Sequence, residues 1–303
     1  MTDEELKPDP SNGENGVIKQ EVNIQYKYIM PVFFMVYYGS IIIPGFIFMM
    51  YIMSIYLPLV LETTNFMMLF LQIDSLIATI LLPLVIIACY LLHVFLVGLI
   101  TRLFWRYTEK KSPSKDGIIP RNIHSKVANF YHARSFMVKY PKISTNRGPF
   151  PWLTKWMFNF IGSSKIGKGT VLEENLSDWR FLIIGKNCYF GLNGAMSSHA
   201  VEGIFGNITY FKVNIGDNVT TTAFNCIGPG AEIGDNTAIL PMSGLTKKNV
   251  LKGNSYYFGV PISRIFKRRL LKFLQITESD LEKAEAVYNE YNQTKKSKSE
   301  NIL

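Results

Sequence analysis

The chain of 303 residues is long enough for one or two domains. Hydrophobic residues make up 48% of it and aromatic residues 14%, which is high for a soluble protein and indicates membrane segments. The formal net charge is +9, and the three cysteines, Cys89, Cys188 and Cys226, are spaced for neither a disulfide framework nor a zinc ribbon.

The N-terminal third predicts a short tail followed by a membrane hairpin. Residues 1–27 are polar and are predicted to form a disordered tail. Residues 28–105 contain two charge-free stretches, 29–61 and 75–101, each longer than the about 20 apolar residues that cross a bilayer. We expect two transmembrane helices, of which the first is tilted or kinked. The candidate kinks are Pro31, Pro44 and Pro58.

The distribution of positive charge predicts the orientation of this hairpin. Its connection carries Glu62 and Asp74 and no lysine or arginine. Five basic residues follow the second span: Arg102, Arg106, Lys110, Lys111 and Lys115. Positively charged flanks stay in the cytoplasm. We therefore expect a multi-pass protein of the cell membrane with two spans and both termini in the cytoplasm.

The part of the chain after the spans is strongly basic. Three of the 32 Lys and Arg residues and eight of the 23 Asp and Glu residues precede Arg102, which leaves 29 basic and 15 acidic residues. That excess favours anionic membrane lipid and phosphate-bearing ligands. Nucleic acid is not expected as a partner, because the chain has no recognition-helix motif and its basic residues concentrate near the membrane.

His93 lies inside the second span, where an ionisable group is a candidate for function. One histidine without an intramembrane acid makes a poor proton relay. We favour a structural role, in which the neutral imidazole hydrogen-bonds to a neighbouring helix.

Residues 106–163 are predicted to be a basic linker with amphipathic helices. A helix over about 121–138 contains His124 and His132, which lie two turns apart and too far to share a metal. Pro151 suits the first position of a second helix. The apolar face of that helix comprises Trp152, Leu153, Trp156, Met157 and Phe160. This face either lies in the membrane interface or closes the open end of the domain that follows.

Residues 164–265 contain a repeat of six residues. One column of it is Ile215, Thr221, Ile227, Ile233, Ile239, Leu245 and Leu251, and a second column lies two residues earlier, from Val213 to Asn249. Glycine follows the first column at Gly216, Gly228 and Gly234. A period of six fits neither a helix nor a lone strand, but it is typical of a parallel β-helix. We expect the first column to point inwards and the glycines to allow the backbone to turn.

The same pattern occurs earlier in the chain, in a different phase. Its inward positions are Ile166, Leu172, Ile184, Phe190 and Met196. From Met196 to Ile215 there are nineteen residues, one more than three hexads. A segment of roughly 197–212 is therefore predicted to leave the coil.

Residues 266–303 are predicted to form a C-terminal helix and a tail. The stretch 265–274 is basic and apolar and suits a membrane surface. Thr277 and Asp280 resemble a capping box, and the helix after them has one apolar face: Leu281, Ala284, Val287, Tyr288 and Tyr291. Residues 295–303 form a solvated tail.

The segments IGKGTVL, IGKNCYFGLNGAMSSH, CIGPGAEIGDNTAIL and GVPISRI resemble the hexapeptide-repeat acyltransferases, which are left-handed parallel β-helices. The resemblance covers roughly residues 118–266. It is closer to the membrane-linked C-terminal β-helix domains of poly-ε-lysine synthetase-like peptide synthetases. It predicts a fold that is mainly β with membrane α: a two-helix transmembrane hairpin, a left-handed β-helix and a C-terminal helix. The fold also serves other activities.

The chemistry of acyl transfer directs the search for a catalytic residue. The β-helix region has one histidine, too few for a carbonic-anhydrase-like metal site, and no metal is expected. Phosphate-loop, dinucleotide and serine-elbow motifs are absent from the sequence. An acceptor must lose a proton as it attacks a thioester, and histidine titrates near the required pH. The resemblance implies that His199, beside the excursion, is this base, and Glu202 is close enough in sequence to orient it. The alternative is that His199 packs or caps the loop.

The resemblance also implies a site for an acyl-CoA co-substrate, with acetyl-CoA favoured. Asn225, Ser243 and Thr246 would face the pantetheine arm, and Lys247, Lys248 and Arg264 would meet the phosphates. A solvated basic corner is the alternative for these cations and is favoured for Lys248. Pro241 and Asn249 depart from the family pattern.

These observations support one hypothesis and leave two alternatives open. The first is a membrane-anchored homotrimeric acyltransferase that acylates a hydroxyl or amine of a lipid-linked or membrane-proximal acceptor at the cytoplasmic face. The second is peptide-bond formation from an aminoacyl thioester on a carrier protein. The third is a non-catalytic trimeric membrane scaffold.

Overall fold

The computed structural model describes residues 26–62, 65, 67–121, 125–203, 206–280, 282–284, 286–287 and 290. Three predicted features lie outside these residues: His124, the tail at 295–303 and, except for residues 26 and 27, the tail at 1–27.

Two long antiparallel helical segments form the N-terminal hairpin. Its elements are α1 (Tyr26–Tyr51), a π-helical turn (Ile52–Tyr56), α2 (Leu57–Glu62), α3 (Met68–Leu71) and α4 (Ile73–Lys111). The segments Ile29–Glu62 and Ile73–Lys111 are long and apolar enough to cross a membrane, and only 11% of the most apolar window of each is buried. The π-helical turn lies directly before Pro58, and Pro31 and Pro44 lie within α1.

His93 on α4 connects the hairpin to the segment that follows it. Its Nδ1 lies 3.1 Å from the carbonyl oxygen of Ser40 on α1, and its Nε2 lies 2.8 Å from the hydroxyl of Tyr140. Both ring nitrogens thus have partners, one of them on a neighbouring helix. This geometry fits the structural role expected for His93.

Three short helices pack against the hairpin: α5 (Lys126–Met137), α6 (Lys139–Asn146) and α7 (Leu153–Ile161). A Cβ atom on Gly98 of α4 would lie 3.0 Å from Sδ of Met157, so glycine permits the close approach of α7. The helices of the segment after the hairpin are therefore packed against it.

Helix α7 has two apolar faces, not the single face predicted. Met157, Phe158 and Ile161 are buried, and the Phe158 ring stacks on Trp179 of the β domain at 5.5 Å. On the other side Trp152 is 69% exposed, and Trp156 stacks on Phe95 of the hairpin. The helical repeat of 100° per residue separates the two sets. One face packs on Trp179 through Phe158 and on Gly98 of the hairpin through Met157, and the other packs on Phe95 of the hairpin through Trp156.

The β domain consists of short parallel strands that form three sheets. One sheet contains β2 (Ser164–Ile166), β4 (Leu182–Ile184), β9 (Val213–Ile215), β12 (Glu232–Ile233) and β15 (Val250–Leu251). The second contains β3 (Val171–Leu172), β5 (Tyr189–Phe190), β10 (Thr220–Thr221), β13 (Thr237–Ile239), β16 (Ser255–Phe258) and the antiparallel β17 (Ser263–Ile265). The third contains β6 (Ala195–Met196), β11 (Cys226–Ile227) and β14 (Gly244–Leu245).

The strand register confirms the six-residue repeat. Ile215 pairs with Ile233, and Ile233 with Leu251, which is eighteen residues or three hexads for each coil. The predicted inward column is buried, as in Ile227 (1% exposed) and Ile239 (0%). The architecture is a parallel β-helix whose apolar core is continuous with that of α7. Its left hand stays a prediction.

The glycines of the repeat have a different role from the one predicted. The backbone of Gly216 and Gly234 is not in the left-handed region; asparagines occupy that region at the corners, with φ of 55° at Asn218 and Asn236. A Cβ atom on Gly216 would lie 2.8 Å from the backbone nitrogen of Asp235 in the next coil. Glycine is therefore needed because adjacent coils approach closely, whereas asparagine makes the turn.

A hairpin interrupts the second coil, as the phase change predicts. Ile184 pairs with Ile215, thirty-one residues later where a regular coil has eighteen, so the insertion is thirteen residues long. Strands β7 (His199–Glu202) and β8 (Asn207–Tyr210) form this excursion hairpin. β8 also pairs with β1 (Gly117–Ile119), a strand that the sequence did not predict.

The last coil is followed by α8 (Lys267–Leu274). Beyond it, the nitrogen of Thr277 donates to Oδ2 of Asp280 at 2.9 Å, and the nitrogen of Asp280 donates to the Thr277 hydroxyl at 3.2 Å. This reciprocal arrangement is the predicted capping box. Residues 278–280 and 282–284 are helical, whereas Leu281, Tyr288 and Tyr291 lie outside the described part of the chain.

Candidate active site

The first residues of the excursion hairpin bring a histidine and an aspartate together. Nδ1 of His199 lies 2.7 Å from Oδ2 of Asp178. The His199 side chain is 31% exposed, and that of Asp178 is 14% exposed. Arg180 Nη2, which only donates, also lies 3.1 Å from Nδ1, but the contact with the Asp178 carboxylate is the shorter of the two. A proton on Nδ1 satisfies this shorter contact and leaves the lone pair on Nε2. His199 therefore has the tautomer that a general base requires.

Local backbone structure explains why Asp178 reaches the site. Asp178 lies twelve residues after Ile166 and six before Ile184. It therefore occupies a position at which the six-residue repeat would have an inward aliphatic residue. Trp179 has a φ of 54° and is fully buried against Phe158, so it fills this part of the core. The Asp178 carboxylate is directed to the corner from which the excursion hairpin leaves.

Serine hydroxyls surround the Asp178 carboxylate and the His199 backbone. Ser198 Oγ donates to Asp178 Oδ2 at 3.2 Å. Ser197 Oγ donates to the His199 carbonyl oxygen at 2.7 Å and lies 3.0 Å from Nδ1. These contacts fix the start of the hairpin and the direction of the imidazole.

Arg180 supplies the positive charge that keeps Asp178 ionised. Its backbone nitrogen donates to Asp178 Oδ1 at 3.0 Å, and its Nη2 lies 3.4 Å from Oδ2. Burial by itself would raise the pKa of Asp178, but the charge of Arg180 and the hydrogen bond from His199 hold that pKa below its usual value. Burial by itself would lower the pKa of Arg180. The charge of Asp178 outweighs this effect, so the pKa of Arg180 is raised. The pair is charged at neutral pH.

Helix α5 forms one wall of the site. The Tyr131 ring lies edge-on to the His199 ring at 6.0 Å, and the Arg180 guanidinium lies 5.1 Å from the Tyr131 ring centre. Burial, together with the nearby charges of Arg121 and Arg180, lowers the pKa of His132 on the same helix. His132 is therefore neutral at pH 7.

Glu202 does not orient His199, contrary to the prediction. Its carboxylate pairs with Lys247 and accepts a hydrogen bond of 2.5 Å from the hydroxyl of Thr209. Residues 199 and 202 are three apart on one strand, so their side chains point to opposite faces. Asp178 takes the place that was assigned to Glu202.

Two of the predicted co-substrate residues are buried at the corners of the coil. Asn225 is 2% exposed, donates to the Thr222 carbonyl oxygen at 2.9 Å and accepts from the Ser243 nitrogen at 2.9 Å. Ser243 is 1% exposed and donates to the Leu240 carbonyl oxygen at 2.8 Å. Their polar atoms hold the coil together, so neither side chain is free to face a pantetheine arm.

The other predicted co-substrate residues are exposed. Thr246, Lys247 and Lys248 lie on the corner after β14, and Arg264 lies on β17. Lys247 contacts Glu202 of the excursion hairpin, and the Lys248 ammonium lies 4.3 Å from the Phe211 ring centre. This corner and the hairpin thus border one another. Both lysines are exposed, so a solvated basic corner, the alternative favoured for Lys248, stays open.

Comparisons with known proteins give the following similarities. No family model and no curated protein matches the chain. A hexapeptide-repeat-containing acetyltransferase from Vibrio cholerae is similar in structure over 41% of this chain and 85% of its own, with 14% identity and a TM-score of 0.36. A maltose O-acetyltransferase from Clostridium difficile covers 56% and 87%, with 16% identity and a TM-score of 0.27. AntD, an N-acyltransferase from Bacillus cereus in complex with dTDP and 3-hydroxybutyryl-CoA, covers 42% and 82%, with 19% identity and a TM-score of 0.27.

All three TM-scores are below 0.5. Among the described residues, no group of three or more His, Cys, Asp and Glu side chains is placed to hold a metal ion. What the geometry provides is a partly exposed imidazole whose Nδ1 contacts the charged Asp178–Arg180 pair. Such an imidazole is able to take a proton at Nε2 and return it.

Proposed function

We propose that the protein is a membrane-anchored acyltransferase in which His199 is the general base. The observation that carries the proposal is the 2.7 Å contact between His199 Nδ1 and Asp178 Oδ2. It fixes the tautomer of an imidazole that remains partly accessible, and it places a negative charge beside the imidazolium that forms.

The reaction proceeds by direct transfer. The hydroxyl or amine of the acceptor attacks the carbonyl carbon of an acyl-CoA thioester while His199 Nε2 takes its proton. The carbon–sulfur bond then breaks, and the leaving CoA sulfur receives the proton from His199. Asp178 stays ionised and stabilises the imidazolium between the two steps. An acetyl group is the favoured acyl group, as the resemblance implies.

The exposed corner after β14 suits the phosphates of the co-substrate. Lys247 and Lys248 carry positive charge beside the excursion hairpin, and Arg264 adds a third cation on β17. Thr246 remains a candidate for the pantetheine arm, because it is exposed. Asn225 and Ser243 are not part of this proposal.

The hairpin of α1 and α4 anchors the enzyme in the membrane, with both termini in the cytoplasm. Its exposed surface is apolar, and five basic residues follow its charge-free stretch. Such an anchor suits a lipid-linked or membrane-proximal acceptor. A homotrimer completes the proposal, since acyltransferases with the repeat typically form their site between two subunits. The likeness to the peptide synthetase domains stays a prediction.

Transfer from radiolabelled acetyl-CoA to a matched membrane extract tests the function. His199→Gln in the full chain should lower turnover by about 10²–10⁴-fold while the melting temperature and CoA binding are retained. His132→Gln, which changes a histidine on the neighbouring helix, is the control. Normal turnover by the His199 variant would refute the assignment.

The same assay addresses the two alternatives. Transfer only from an aminoacyl thioester on a carrier protein would favour peptide-bond formation. No CoA binding and no transfer from either donor would favour a membrane scaffold. Native mass spectrometry in detergent measures the assembly, and a monomer would refute the shared site.

A further inference from the structure

A cavity of about 310 Å³ lies between the hairpin and the back of α5. This volume is at the lower end of the about 300–1,000 Å³ typical of ligand pockets. Helices α1, α4 and α5 all contribute to its walls. Its walls include Phe104, Thr108, Lys126, Asn129, Phe130 and Ala133.

The walls of this cavity are mainly apolar, and they lie at the basic end of the hairpin. Phe104 and Thr108 lie three and seven residues after the charge-free stretch of α4, each two residues after an arginine, Arg102 and Arg106. The Thr108 hydroxyl donates to the Trp105 carbonyl oxygen at 2.9 Å, so it offers no free donor to a ligand. An apolar cavity at this level suits a hydrocarbon chain better than a water-soluble molecule.

Helix α5 separates the cavity from His199. Phe130 and Asn129 line the cavity, whereas Tyr131, the next residue, lies against the His199 ring. An α-helix with its side chains is about 10–12 Å across, so the two places are about one helix diameter apart. A molecule with a tail in the cavity needs to extend only around α5 to reach Nε2 of His199.

Two cations are available to a headgroup: Lys126, the first residue of α5, and Arg121, beside the turn of the excursion hairpin. Lys126 is exposed and lines the cavity. Nη1 of Arg121 lies 3.6 Å from the position of a Cβ atom on Gly206, at the turn of the excursion hairpin. Positive charge at this position suits the phosphate of a lipid headgroup.

We infer that the cavity binds the hydrocarbon tail of the acceptor, a lipid with a phosphate headgroup that passes Lys126 and Arg121 on its way to His199. The inference rests on the proposed function and names its acceptor class. Apolar walls account for the tail, and the two cations account for the phosphate. The diameter of α5 determines the distance between the hydrocarbon tail in the cavity and the lipid group that is acylated at His199.

Photocrosslinking of the full chain tests the cavity without an activity measurement. The protein is reconstituted into phosphatidylcholine vesicles that contain phosphatidic acid with a diazirine in its acyl chain. We expect crosslinks in peptides that contain Phe104 or Phe130. Ala133→Trp fills the cavity and should lower their yield on the order of tenfold, which corresponds to 1.4 kcal/mol. Leu103→Trp, at an exposed position of α4, is the matched control and should leave the yield unchanged.

A charge variant covers the case in which Ala133→Trp fails to fold. Lys126→Glu should lower the yield with the phosphatidic acid probe more than with a phosphatidylcholine probe that carries the same diazirine. Lys110→Glu, also exposed, is its control. Equal yields with both probes in the wild type and in Lys126→Glu would refute the headgroup assignment. An unchanged yield in a folded Ala133→Trp variant would refute the tail assignment.

Acyl transfer to the lipid distinguishes failure of this inference from failure of the proposed function. Phosphatidic acid has no free hydroxyl or amine, so transfer is measured with the lipids of the matched membrane extract as acceptors. If the crosslinks form as expected but no lipid of that extract is acylated, the cavity is a lipid site and the proposed activity is wrong. If the Ala133→Trp variant transfers acyl groups with an unchanged KM for the lipid acceptor, the activity stands and the cavity does not bind the acceptor.

Discussion

Replacing Asp178 by asparagine keeps the shape of the side chain and removes its charge. Arg180, which is 2% exposed, then loses its carboxylate partner. Removing one partner of a buried ion pair lowers the free energy of unfolding by about 3–5 kcal/mol. His199 also loses the acceptor for its Nδ1 proton, and the same change in serine hydrolases lowers turnover by about 10⁴-fold. We expect the Asp178→Asn variant to lose both stability and activity.

A second substitution separates these two effects. Asp178→Asn combined with Arg180→Met removes both charges, and replacing a buried ion pair by apolar groups is often close to neutral for stability. The double variant should therefore recover most of the lost stability while its turnover stays low. Asp217→Asn is the control, because Asp217 also accepts a backbone hydrogen bond but lies at an exposed corner of the coil.

The free energy of unfolding is measured by denaturant titration over a range of pH. The pKa of Asp178 is lower in the folded than in the unfolded protein. Its stabilisation is therefore complete above the unfolded value of about 3.9 and is lost as the pH falls through the folded value. The double variant should show a weaker acid dependence. A single Asp178→Asn variant with wild-type stability and turnover would refute the reasoning about this site.

Three further predictions concern the coil, the membrane topology and the co-substrate. Ile233→Asp should lower the free energy of unfolding by several kcal/mol because it buries an unpaired carboxylate. The control is Cys226→Asp, at an exposed position of the neighbouring strand β11, which should melt like the wild type. In a cysteine-free background, a cysteine at position 65 should be labelled from outside intact cells and one at Lys115 should not; the reverse would overturn the orientation. Lys247→Ala should weaken CoA binding measured by isothermal titration and leave kcat unchanged, and equal affinity would remove Lys247 from the phosphate site.

The coil is predictable because its repeat is a property of sequence spacing. Inward residues such as Ile227 and Ile239 follow from counting in sixes, and the thirteen-residue insertion shows as a change of phase. The strand β1 was not predictable in this way. It exists because β8 offers a free edge, and a pairing between residues 119 and 208 leaves no local signal in the sequence.

The sequence makes His199 a candidate base but does not point to Asp178, the carboxylate beside it. Glu202 was chosen because it is near in sequence, but side chains three apart on a strand diverge. Asp178 is twenty-one residues from His199, and one coil of the helix brings them together. A signal was present: the aliphatic column between Leu172 and Ile184 is broken by this aspartate.

That break in the column also shows how the fold tolerates a charged site at its edge. A carboxylate in the inward position would lie unpaired in an apolar core and would cost several kcal/mol. Instead Trp179 turns inward with a φ of 54° and stacks on Phe158 of α7, while Arg180 returns to pair with Asp178. The helix that closes the first coil thereby supplies the packing that lets the carboxylate face outward. Trp179→Ala should consequently disturb His199 as well as the core, because it removes the contact that directs Asp178 toward the hairpin.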